Sequence, residues 1–134
     1  MPTVAFSLIC EGSLKVLEEI YDIKSVGIDG VAVSGFPCTV HPLQYFARFH
    51  FMPNELGDHI ITIKLRDTDG KLVEVPLTRC FNVERAPMDQ KGKLTVSLDI
   101  PSFEAESPCS LSITVYCDDE ILDQIDLEVF EKPE

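Results

Sequence analysis

The sequence has no tryptophan, no run of basic residues and no apolar stretch near the roughly 20 residues that cross a bilayer as a helix. Eleven Lys and Arg face 23 Asp and Glu, a formal net charge of −12, so neither nucleic acid nor membrane is expected as a partner. The N-terminal stretch MPTVAFSLICEGSLK lacks the basic start and the small-residue cleavage site of a secretory signal. Ile9 also stands where a lipoprotein acylated on Cys10 needs a small residue, and a cytoplasmic location is expected. There is no GxSxG nucleophile elbow and no paired CxxC or HxxxH set, so the expectation is a non-enzymatic protein with no cofactor. The five cysteines are an odd number, which points to reduced thiols filling core positions rather than a disulfide framework. No repeat, low-complexity tract or shift of composition divides residues 1–134, and a single domain is expected.

What the sequence has in abundance is alternation. Leu43, Tyr45, Ala47, Phe49 and Phe51 occupy odd positions with Gln44, Phe46, Arg48, His50 and Met52 between them, the period-2 pattern of a strand with one buried face. Ile61, Ile63 and Leu65 repeat the pattern, and with Pro53 to Asp58 as a long turn the two runs read as an antiparallel unit. Val4, Phe6, Leu8 and Cys10 alternate before Glu11-Gly12-Ser13, which reads as the turn of a first hairpin. Leu14 to Ile23 changes parity partway and reads as a bulged strand, although helical spacing also fits it. Further on, Asp67-Thr68-Asp69-Gly70 reads as a hairpin turn leading to an edge strand broken by Pro76. Ala86 to Lys93 is polar and turn-rich. Leu94 to Ile100, Cys109 to Cys117 and Ile121 to Val129 alternate again, with Asp118-Asp119 turning the chain between the last two.

Seven to nine short strands with turn signals every eight to twelve residues predict two antiparallel sheets packed face to face, with a small closed barrel as the alternative. The order Leu14-Lys15-Val16-Leu17, Phe36-Pro37, His41-Pro42-Leu43, His59 to Ile63 and Asp67 to Gly70, closed by Phe103, Pro108 and Asp118-Asp119-Glu120, resembles a family of small bacterial proteins. That family is known as a domain of unknown function with an immunoglobulin-like sandwich. The resemblance implies an immunoglobulin-like antiparallel β-sandwich and brings no active-site motif.

Candidate sites are therefore surface features. Phe46, His50 and Met52 share the face opposite the expected core, and Tyr116 points outward on its own strand. If these strands lie in one sheet, the four residues form an exposed patch for a protein partner or for self-association. Asp67 and Asp69 would meet Asp118 and Asp119 if both turns lie at one end of the sandwich, offering carboxylate oxygens to calcium or another small ligand. Cys38 and His41 have the spacing of half a zinc site but lack a second ligand pair, and as a Cys–His pair they lack an orienting acid.

Overall fold

In the computed structural model, all residues are described except 1, 18–19, 26, 74–75, 85–91 and 134. Alternating apolar residues become strands almost throughout: β1 (Thr3–Cys10), β2 (Gly12–Leu17), β3 (Ile20–Lys24), β4 (Gly30–Val33), β5 (Cys38–Val40), β6 (Leu43–Phe51), β7 (Gly57–Arg66), β8 (Leu77–Val83), β9 (Gly92–Ile100), β10 (Phe103–Ala105), β11 (Cys109–Cys117) and β12 (Glu120–Glu131). Among the described residues the one helical element is a single 3-10 turn, Pro53–Glu55.

The strands form a three-stranded sheet, β1-β6-β9, and a five-stranded sheet, β4-β12-β11-β7-β8, antiparallel throughout except where β4 runs parallel to β12. Their inner faces share one core. Tyr45, Ala47, Phe49 and Phe51 of β6 and Val96, Leu98 and Ile100 of β9 meet Ile61, Ile63 and Leu65 of β7, Leu111, Ile113 and Val115 of β11, and Leu127 and Val129 of β12. The short β5–β10 ladder closes one side of that core with Val40, Phe103 and Ala105, and Phe36 packs against it. The chain is an all-β sandwich, as the period-2 pattern predicts.

The connections differ from expectation in three places. First, the runs that read as one antiparallel unit lie in different sheets, because the 3-10 turn after Met52 carries the chain from β6 across to β7. Second, β1 pairs with β6 rather than with its sequence neighbour, and Leu14 to Ile23 divides into β2 and β3, which pair with each other as a hairpin. With the short strands β4, β5 and β10, this raises the number of strands among the described residues to twelve. Third, a bulge between Val4 and Phe6 shifts the register of β1, so that Phe6, Leu8 and Cys10 pair with Arg48, Phe46 and Gln44 on the outer side of β6. Glu18-Glu19, Val75 and most of the polar stretch from Ala86 lie outside the described residues.

Candidate functional site

The four residues expected to form one exposed patch are divided between two faces of the molecule. Phe46 and His50 stand on the outer side of the three-stranded sheet, whereas Tyr116 stands on the outer side of the five-stranded one. Phe46 is not exposed at all, at 1%. The bulge in β1 and the β2–β3 hairpin place Phe6 and Tyr21 on its ring, at centroid separations of 5.8 and 4.9 Å. The same hairpin is fastened by polar bonds. Ser13 Oγ donates to Gln44 Oε1 at 2.5 Å and lies 3.0 Å from Ser97 Oγ, while Gln44 Nε2 donates to Asp99 Oδ1 at 3.1 Å. His50 is half-buried, and Met52 is exposed beyond the end of β6.

The four carboxylates expected to converge lie at opposite ends of the five-stranded sheet. In the β7–β11 register Ser112 pairs with Arg66 and Cys117 with Ile61, so Asp67 and Asp69 follow the far end of β7 and Asp118 and Asp119 lie beside its beginning. Seven residues of strand, roughly 23 Å, separate Ile60 from Asp67. The calcium set is overturned by this register. Asp67 instead closes its own turn, accepting the N–H groups of Asp69 and Lys71 at 2.9 and 3.0 Å.

What the register does bring together is His59, Cys117 and Asp118. His59 precedes Ile61 by two on the inward side of β7, and Cys117 is the last inward residue of β11. Asp118 opens the two-residue turn to β12, where Asp118 and Asp119 both adopt positive φ, +51° and +70°, as a tight hairpin demands. Asp118 Oδ1 accepts the N–H of Ile60 at 2.9 Å, and its Oδ2 lies 2.5 Å from His59 Nδ1. His59 Nε2 meets the backbone carbonyl of Glu55, and the imidazole packs on Phe51 at 4.7 Å. Cys117 Sγ, 3% exposed, lies 3.8 Å from Nδ1 and 3.7 Å from Oδ2.

Electrostatics follow from this geometry. Burial pushes the Cys117 thiol up to about 12, with the Asp118 carboxylate adding to it. Desolvation pulls the His59 imidazole down, but its bonds to Asp118 and to the Glu55 carbonyl outweigh that and leave it raised. The Ile60 N–H, followed by His59, holds the Asp118 carboxyl below its ordinary value. A thiol kept neutral beside a carboxylate is a poor nucleophile. In sequence these residues show only that a His and a Cys fall on inward positions; their convergence depends on a strand register that period-2 patterning does not encode.

On the other side of the same strands lies an exposed apolar row. Ile60 of β7 and Ile121 of β12 are 49% and 60% exposed, and on β11 between them Tyr116 pairs with Ile121 on one side and with Thr62, two residues from Ile60, on the other. The Tyr116 ring is held by Lys64, whose Nζ stands 4.7 Å from its centroid. Elsewhere, Cys38 and His41 both line an open cleft of about 950 Å³ between β4 and β5, shared with Val31, Leu43 and Lys132. Among the described residues Cys38 and His41 share no hydrogen bond, and no third metal-ligating side chain gathers with them.

No helix among the described residues is long and apolar enough to cross a membrane. No curated protein is significantly similar to the chain. Among solved structures, a glycosyl hydrolase family 2 member from Bacteroides cellulosilyticus is similar at 12% identity and a TM-score of 0.38 over 69% of this chain, which spans 14% of that chain. The model of the family of unknown function DUF6941 matches residues 6–130, and the chain belongs to that family.

Proposed function

We propose that this chain is a non-enzymatic binding module that engages another protein through the outer face of its five-stranded sheet, at Ile60, Tyr116 and Ile121. The observation that carries this reading is that three adjacent strands each place one of these side chains on the same outer face, with Ile60 and Ile121 about half exposed or more. Large apolar side chains scattered singly need no partner, whereas several on one face of neighbouring strands have the form of a contact surface. The exposed Asp118, Asp119 and Glu120 adjoin the row, and the whole chain carries −12, so a second copy would be repelled. The partner that fits is a protein with apolar side chains ringed by basic ones. The neutral thiol of Cys117 and the fully engaged imidazole of His59 support the absence of a nucleophilic site.

The sandwich is read as immunoglobulin-like and the protein as bacterial and cytoplasmic, on the resemblance and on five cysteines that all stand as free thiols. Affinity capture from native cells with wild type and with an Ile60→Glu/Ile121→Glu variant tests the function. A stoichiometric protein partner retained by wild type and lost by the folded variant is expected. A partner retained equally by both would place the interface elsewhere.

A further inference from the structure

From the convergence of one imidazole nitrogen, one sulfur and one carboxylate oxygen, we infer that His59, Cys117 and Asp118 form a site for a zinc-class divalent ion at the end of the sandwich. Nδ1, Sγ and a carboxylate oxygen all lie within 4.8 Å of one another, and they come from two distant parts of the chain: the beginning of β7, and the end of β11 with the turn that follows it. A tetrahedral zinc ion with bonds of about 2.0 to 2.3 Å holds its ligand atoms roughly 3.3 to 3.6 Å apart. Sγ already stands 3.8 Å from Nδ1 and 3.7 Å from Oδ2. The one separation that must widen is Nδ1 to Oδ2, at 2.5 Å, and it belongs to the Asp118 side chain, which is 49% exposed and has room to turn.

A second observation points the same way. A metal-binding histidine is normally oriented by giving its other ring N–H to a carbonyl or carboxylate. His59 does this, with Nε2 bonded to the Glu55 carbonyl and the ring lying against Phe51, so that Nδ1 is the nitrogen turned toward Cys117 and Asp118. A mixed S, N, O set selects zinc or its cobalt analogue over calcium or magnesium, which take oxygen alone. On binding, the Sγ–H bond breaks heterolytically and its electron pair goes to the metal. The proton that Nδ1 shares with Asp118 also leaves to solvent, as metal binding at such ligands requires. With three protein ligands, the fourth position opens on the exposed Asp118 side for water or a partner's side chain. The inference does not rest on the protein-binding face, which lies on the outer side of the same strands and meets the site only at Asp118.

Cobalt titration of metal-free full-length protein tests the site, with circular dichroism recorded on each variant to verify folding. One equivalent of cobalt is expected to produce a thiolate-to-metal charge-transfer band that zinc abolishes. Cys117→Ser should remove the band, while Cys80→Ser, at the exposed cysteine of β8, should leave it unchanged. X-ray absorption of the zinc-loaded wild type should show one sulfur at about 2.3 Å. No band at stoichiometric cobalt in folded wild type, a band that survives Cys117→Ser, or a zinc shell without sulfur would overturn the inference.

Discussion

Tyr45 lies wholly within the core, yet its hydroxyl donates to Asp123 Oδ2 at 2.8 Å. Burial raises its pKa strongly and the Asp123 carboxylate adds to it, so the phenol stays protonated and the bond persists at any ordinary pH. Asp123 reaches that hydroxyl because the register of β12 shifts between Val115 and Tyr116 of its neighbour, which sets Asp123 opposite inward Val115. Tyr45→Phe removes the donor and leaves the carboxylate partly buried, and a loss of about 1 to 2 kcal/mol in urea unfolding is expected. His59 and Asp118 give a pH signature in metal-free protein. The raised imidazole stabilises fully below 6.5 and loses its contribution as pH rises through its folded value; the lowered carboxyl contributes fully above 3.8 and loses it as pH falls. The pair is therefore most effective between those limits, and His59→Gln should flatten both flanks of a melting-temperature profile. Unchanged flanks would show that the pair contributes nothing.

At the scale of elements, the β2–β3 hairpin decides which surface the molecule presents. It covers Phe46 through Tyr21, while the bulge in β1 supplies Phe6 to the same ring. Phe46→Ala should cost about 3 to 5 kcal/mol in chemical denaturation, as truncation of a buried aromatic does. Ile121→Ala, on an exposed position, should stay within about 0.5 kcal/mol of wild type. Equal costs would contradict the assignment of one to the interior and the other to the surface. The sequence already showed which residues of β6, β7, β9 and β11 face inward, because a pleated strand puts alternate side chains on opposite sides. It did not show which strands share a sheet. Inner strands of either layer alternate alike, and the Pro53–Glu55 turn that moves the chain between layers looks like an ordinary hairpin loop. The bulge in β1 was hidden for the same reason, since one unpaired residue reverses parity without leaving a mark in composition. Phe46 thus read as exposed, and Tyr116 as its neighbour, when a whole sandwich stands between them.

For the whole molecule, two layers and a hairpin cover account for most of the large apolar side chains; of those left exposed, Met52, Ile60, Leu72, Ile121 and Phe130, the proposed interface takes Ile60 and Ile121. The −12 charge opposes self-association and favours a basic-rimmed partner, with association that slows as salt is raised. The most direct measurement is photo-crosslinking in native cells, with a benzophenone amino acid in place of Ile121 and, as a control, in place of the exposed Glu104 on β10. A discrete adduct with one other protein at position 121, absent at 104, is the predicted result. No adduct at 121, or the same adduct at both positions, would contradict a binding face at Ile60, Tyr116 and Ile121.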